Sequence, residues 1–362
     1  MMRTLRFKYA VLALMLAPLI LLGNDGKLKG KYNKEKTINK EFTVDATALL
    51  KVSNKYGNVT VSSWDENRVV MEIKIKVSGN NEDKVDKRLQ EIDVEFDSRS
   101  DMVSAKTILA KGKGWGWNWG KNNMSVQINY SIKAPVKNSV HLNNDYGAII
   151  LDRIDGHAKI SCDYGRLEIG ELRGRNNELR FDYTSKSVID YMNSGSINAD
   201  YSGFTLNKVG DLTLNADYTN ANIGEMANLD YTSDYGSMDV SSVQNVTGNG
   251  DYISVDLGTV NGNVDINADY GSVKIAKMAA DAGNINISTD YTGIKIGYDP
   301  GYYFDFEIST EYASVKGKDE FEINISKEKN SDRYYQGFYG QSDSGKKVYI
   351  SSEYGGVSFY KN

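Results

Sequence analysis

An acid followed by tyrosine recurs through this chain with a regularity that few folds can accommodate. The tyrosines are Tyr146, Tyr164, Tyr183, Tyr201, Tyr218, Tyr235, Tyr252, Tyr270, Tyr291, Tyr312 and Tyr354, and successive steps are 18, 19, 18, 17, 17, 17, 18, 21, 21 and 42 residues. A fixed period of this length marks a small structural unit that cannot bury its own apolar face and therefore stacks on its neighbours. The last step fits two units of 21 residues with one tyrosine missing.

Each unit carries the same inner pattern. Apolar residues stand three, five and usually eight positions after the tyrosine, as in Val273, Ile275 and Met278, or Phe204, Leu206 and Val209. A turn residue follows, then a second alternating run such as Leu212, Leu214 and Ala216. Alternation with period two places each set on one face of a short strand. The position two before the tyrosine is usually small (Cys162, Ala199, Ala216, Ser233, Gly250, Ala268), with Asn144 and Phe181 as early exceptions, and predicts an inward-facing corner. The expected fold is all-β, a single-stranded parallel β-helix with coils of 17 to 21 residues. At about 4.8 Å per coil, it makes a rod of roughly 50 Å.

The flanks are less regular. Arg3, Arg6 and Lys8 precede an apolar run from Tyr9 to Leu22, the pattern of a signal peptide over residues 1–23. No second apolar run is long enough to span a membrane. Residues 24–135 read as a β-rich portion with one helix near 80–92, an early motif copy at Tyr56, and a loop at 111–123. Residues 136–325 are the regular array, and 326–362 hold an insertion and a capping coil. The insertion, with Tyr334, Tyr335, Phe338 and Tyr339, reads better as a cap over the open end than as a recognition loop.

Without residues 1–23 the chain has 40 basic and 48 acidic residues and no basic cluster, which argues against nucleic acid as a partner. Cys162 is the only cysteine, so no disulfide supports the fold. Location in the periplasm or on the outer cell surface follows from the signal peptide.

The stretches VSNKYGNVTVSSWDENRVVMEIKI (52–75), INYSIKAP (128–135), the repeated DYG coils and VYISSEYGGVSFY (348–360) carry a family likeness. With them the chain resembles the putative-adhesin β-solenoid proteins of the bacterial envelope, a domain of unknown function common in Bacteroidetes. The resemblance covers most of the chain and implies an exported, right-handed β-helical protein with no established activity. It brings no functional residues. This chain is richer in Asp-Tyr than that family, whose turns are plainer and contain glycine.

Three chemistries can be asked of the repeat Asp145-Tyr146, Asp163-Tyr164, Asp200-Tyr201, Asp217-Tyr218, Asp234-Tyr235, Asp251-Tyr252, Asp269-Tyr270 and Asp290-Tyr291. Catalysis needs a partner group and a cleft, and an active site breaks a repeat instead of repeating in it. Calcium between coils would relieve carboxylate repulsion, but Ca²⁺ takes six to eight oxygens and each coil offers one carboxylate. The remaining reading is structural: Asp holds nearby backbone N–H groups while Tyr stacks on the Tyr above and below. No zinc-type spacing of His or Cys occurs, His141 and His157 lie on alternating strands, and no cofactor is expected.

The sequence therefore points to a non-catalytic envelope protein, adhesin-like or scaffolding, presenting a repetitive polar face to a cell-surface protein or glycan. A second reading is a carbohydrate-binding module using Trp115, Trp117 and Trp119, which alternate in GWGWNWG and would share one face of a hairpin tip. A third, a polysaccharide-cleaving β-helix enzyme, is disfavoured because the coils from 146 to 270 lack long insertions. If the Trp loop is the binding element, replacing all three tryptophans by alanine abolishes glycan binding in a pull-down and leaves the melting temperature unchanged. A large loss of stability instead would make them part of the core.

Overall fold

The computed structural model describes residues 30–109 and 124–362. The signal-peptide assignment and the Trp115, Trp117 and Trp119 loop lie outside them. The described chain is all-β, with 27 strands and one helix. That helix, Glu82–Glu91, falls where its spacing places it. The Asn81 side chain accepts from the Lys84 N–H at 3.0 Å, Glu82 and Asp83 occupy the first turn, and Val85 is buried.

The central strands form two parallel ladders, in register apart from one irregularity between Ile275 and Met278. In the first, Ser139–Asp145, Ala158–Asp163 and Asn177–Asp182 pair in sequence order, followed by the C-terminal halves of Ser187–Asn198, Gly203–Asn215, Asn220–Thr232 and Gly236–Asp251, then Val264–Asp269 and Ile285–Asp290. In the second, Ala148–Ile154, Arg166–Leu172, the N-terminal halves of the same long strands, Ile253–Val260, Ser272–Met278 and Gly293–Tyr298 do likewise. Inward residues of both ladders belong to one continuous apolar cluster.

Register puts every side chain over its counterpart one rung away. One core column runs Leu142, Ile160, Leu179, Ile197, Leu214, Tyr231, Gly248, Ile266 and Ile287. It is branched aliphatic except at one adjacent pair. Tyr231 is buried, and a Cβ on Gly248 would stand 1.9 Å from its ring, so the missing side chain of one rung makes room for the oversized one below. Among the described residues the Tyr231 hydroxyl has no hydrogen-bond partner.

The ends depart from sequence order. Strand Leu49–Lys55 lies between Met102–Leu109 and Ser139–Asp145, and Val59–Trp64 lies between Ser125–Pro135 and Ala148–Ile154. Tyr56 is thus part of the array and not an outlying copy. At the other end Lys347–Glu353 inserts between Ile285–Asp290 and Phe304–Glu311, and Val357–Lys361 between Gly293–Tyr298 and Val315–Lys316. This corrects the expectation that the 42-residue step hides a coil without tyrosine. The chain makes the outermost rung first, turns through a hairpin, and returns to fill the rung beneath it.

Beyond these outer rungs pairing turns antiparallel. Ile92–Arg99 covers Met102–Leu109; Arg68–Gly79 covers Ser125–Pro135 and is covered in turn by Tyr32–Thr43. The hairpin Glu322–Lys329 and Asp332–Tyr339 covers Phe304–Glu311. Tyr335 and Tyr339 are buried, and the Tyr339 ring packs 4.9 Å from Tyr298 and 5.7 Å from Phe304. The insertion is a cap. Its outer strand carries Lys327, Glu328 and Lys329, charges that oppose edge-to-edge pairing.

The Tyr231–Gly248 exchange predicts coupled effects. Gly248→Val alone overpacks the column and destabilises by about 1–3 kcal/mol, read as a lower denaturant midpoint. Combining it with Tyr231→Leu, which restores the column's own pattern, recovers most of that loss. Additive losses in the double variant would refute the pairing.

Candidate functional site

Twelve tyrosines form one column along a corner of the stack, in the order Tyr56, Tyr146, Tyr164, Tyr183, Tyr201, Tyr218, Tyr235, Tyr252, Tyr270, Tyr291, Tyr354 and Tyr312. Neighbouring ring centroids are 4.6–5.3 Å apart and the rings lie within 13° of parallel. All twelve residues have φ between 50° and 66°, the left-handed region. A bulky side chain there costs roughly 1–2 kcal/mol. Stacking returns about 0.5–1.5 kcal/mol per pair, and each turn gains an inter-rung bond such as Tyr218 N–H to Asp234 C=O at 2.9 Å. The corner thus keeps a residue that the backbone alone would exchange for glycine.

The aspartates form the neighbouring column. Their carboxylates reach along the stack instead of into their own turn. Asp182, Asp200, Asp217 and Asp234 accept from the backbone N–H of Asp200, Asp217, Asp234 and Asp251 at 3.3, 3.3, 3.1 and 2.8 Å, and Asp269 accepts from Asp290 at 3.0 Å. The local cap expected from sequence is therefore an inter-rung bond. Unit charges about 4.8 Å apart repel by roughly 0.9 kcal/mol in water, whereas a hydrogen bond to a charged group contributes about 1.5–3 kcal/mol. The bond opposes the repulsion, although at Asp163 and Asp251 burial and the neighbouring carboxylates prevail. At the N-terminal end Lys55 takes the acid's place and pairs with Asp145 at 2.7 Å.

Among the described residues no group of three or more His, Cys, Asp or Glu is placed to hold a metal ion. Cys162 is buried at the corner and its thiol is pushed up to about 12, chiefly by burial and then by the charge of Asp163. His157 Nε2 lies 2.9 Å from the Asn176 carbonyl, and His141 is exposed on the same face. Among the described residues neither histidine is hydrogen-bonded to a serine, threonine or cysteine side chain.

A feature that sequence reasoning missed lies on the outward face of the first ladder. An open groove of about 720 Å³ runs across successive rungs, lined by Ser194, Asp211, Thr213, Asn228, Asn245 and Thr247 among others. Its edge is an amide ladder: Asn228 donates to Asp211 at 2.6 Å and Asn245 to Asn228 at 2.8 Å, while the Asn263 and Asn284 N–H groups continue it onto Asn245 and Asn263. The signal was present as Asp or Asn six residues before the Asp-Tyr pairs of Tyr218, Tyr235, Tyr252, Tyr270 and Tyr291 (Asp211, Asn228, Asn245, Asn263 and Asn284), a column that reads as ordinary turn composition. A larger open depression on the second ladder, about 900 Å³, is charged, but Arg153 and Arg173 are already paired with Asp155 and Glu171 at 2.8 and 2.6 Å. The first groove is the less committed surface.

No family model matches the chain, and no curated protein matches it. Solved structures do. By name, two of them are putative bacterial adhesion proteins and one is a putative lipid binding protein. A putative adhesin from Parabacteroides distasonis is 13% identical, with 72% of this chain and 93% of that chain covered and a TM-score of 0.33. A putative cell adhesion protein from Clostridium sporogenes is 11% identical, covering 91% and 100%, with a TM-score of 0.20. A putative lipid binding protein from Parabacteroides distasonis is 9% identical, covering 90% and 96%, with a TM-score of 0.29. At scores of this size no residue or ligand is carried over.

The acid column has a pH signature. Burial, then the charge of Asp182, raises the Asp163 carboxyl above its ordinary value; burial, then Asp269 and Asp234, does the same for Asp251. A raised folded-state value means that ionisation is penalised in the fold, so this contribution to stability is lost as pH rises through it. Asp163→Asn removes the charge and keeps an acceptor oxygen. It raises the neutral-pH melting temperature by on the order of 1–2 °C, and the gain disappears below the ordinary aspartate range. A gain that grew with acidity would contradict the assignment.

Proposed function

We propose that the protein is a non-catalytic component of the bacterial envelope. In this reading it is an exported, single-stranded parallel β-helix, adhesin-like or scaffolding, that presents its polar long side to a cell-surface glycan or protein. The observation that carries it is the uninterrupted groove of amide and hydroxyl groups on the first ladder, repeated at the rung spacing. Such a surface offers the same donors and acceptors again and again along one direction. That suits an extended partner with its own repeat better than a compact substrate, which would need one distinctive place on the stack.

The experiment is adherence of the purified protein to envelope polysaccharide and to whole cells. Lysines at two exposed positions, Thr213→Lys and Asn228→Lys, place long charged chains in the groove without touching the core. Adherence falls while the melting temperature stays within about 2 °C, the range of surface substitutions. Undiminished adherence would remove the groove from the reading. Release of residues 1–23 on secretion, read from the mature N-terminus, and protease access on intact cells test export and surface exposure.

A further inference from the structure

We propose that the tyrosine column is a site of oxidative self-cross-linking, at which phenols of adjacent rungs join as dityrosine. The inference goes beyond a binding role and rests on a different part of the molecule.

Three observations carry it. First, the rings are near-parallel, and the pairs from Tyr164 to Tyr354 have centroids 4.6–5.1 Å apart with nothing between them. Second, the column tyrosines from Tyr146 to the terminal Tyr312 are 43–59% exposed as residues, so a small oxidant reaches every one. Third, no described group hydrogen-bonds the hydroxyls of these rings, in contrast to Tyr302, whose hydroxyl donates to the Gly283 carbonyl at 2.6 Å from a buried position. The other tyrosines lack this combination: Tyr130, Tyr231 and Tyr298 are buried, and Tyr349, exposed like the column, has no ring stacked on it.

The chemistry follows from the packing. Each phenol gives up one electron and its hydroxyl proton to become a phenoxyl radical. The spin spreads over the oxygen and the ortho and para carbons in the ring's π system. Those lobes stand perpendicular to the ring, and stacking aims them at the neighbour. Two ortho carbons then join, and each loses its hydrogen as a proton while its oxygen regains one, restoring both aromatic rings. The net change per link is loss of two protons and two electrons. The co-reactant is hydrogen peroxide delivered by a haem peroxidase, which accepts the two electrons and two protons and leaves as two waters. The twist required in the product is absorbed by side chains whose rings stand outside the core.

The probe is dilute folded protein treated with peroxidase and hydrogen peroxide, read by dityrosine fluorescence, intact mass and peptide mapping. The expected result is a monomer lighter by two hydrogens per link, with links between rung neighbours such as Tyr201 and Tyr218 or Tyr291 and Tyr354. The last pair is diagnostic, because only the inserted C-terminal rung makes it adjacent. Replacing alternate members (Tyr56→Phe, Tyr164→Phe, Tyr201→Phe, Tyr235→Phe, Tyr270→Phe, Tyr354→Phe) leaves phenyl rings to stack but no two neighbouring phenols, and the signal falls to background. If that variant does not fold, the map of the wild-type links in folded against urea-unfolded protein decides. Links that join separate molecules, that favour Tyr303 or Tyr349, or that form equally in the unfolded chain would overturn the proposal.

Discussion

In-register parallel pairing is the constraint on which the rest of this molecule depends. When successive strands lie side by side in the same direction with no shift, each side chain sits on its counterpart at about the strand spacing of 4.8 Å. Every position along a coil then becomes a column, and a residue type is acceptable only if it tolerates its own kind as a neighbour. Branched aliphatic side chains do, and they fill the core. Amides do, because each is donor at one end and acceptor at the other, which yields the Asp211, Asn228 and Asn245 chain. Tyrosine does through its faces. Aspartate does not, unless its charge is used, and here it is used to accept the next rung's N–H. Where like cannot sit on like, the mismatch is settled between two adjacent rungs, as Tyr231 and Gly248 do.

This constraint explains what could be read from the sequence. The period, the alternating core triplets and the small inward residues before most of the tyrosines are column properties, so they repeat and announce themselves. The helix at Glu82–Glu91 was legible for a local reason, its cap and first-turn acids. Spatial order at the ends was not. Lys347–Glu353 has the same pattern as any rung, and nothing in a pattern says which neighbour it will choose. The same holds for Leu49–Lys55, whose tyrosine looked like an outlier. The left-handed backbone at every column tyrosine was hidden because glycine and asparagine are the residues that usually announce it. The direction of the aspartate bonds was hidden too, since a carboxylate before a turn looks the same whether it serves its own coil or the next.

The column also defines what a partner would meet at the corner. Exposed aromatic side chains usually suggest flat platforms, but each internal ring here has a neighbour over both faces. What remains outward is ring edges and hydroxyls, beside a row of carboxylates, five of which accept the next rung's N–H. That corner resembles a polar seam more than an apolar patch. The groove on the first ladder and this seam therefore offer related chemistry in different arrangements, amides and hydroxyls in one and phenols with acids in the other.

The inserted rungs place a condition on synthesis. Through the middle of the stack each rung can settle on its predecessor as the chain emerges, since order in space follows order in sequence. Phe304–Glu311 cannot, because the strand it rests on, Lys347–Glu353, has not yet been made. Until then it must wait, or pair with Ile285–Asp290 and later give way. This end of the stack is closed by insertion and not by growth at its tip, so the arrival of Lys347–Glu353 sets when it can close.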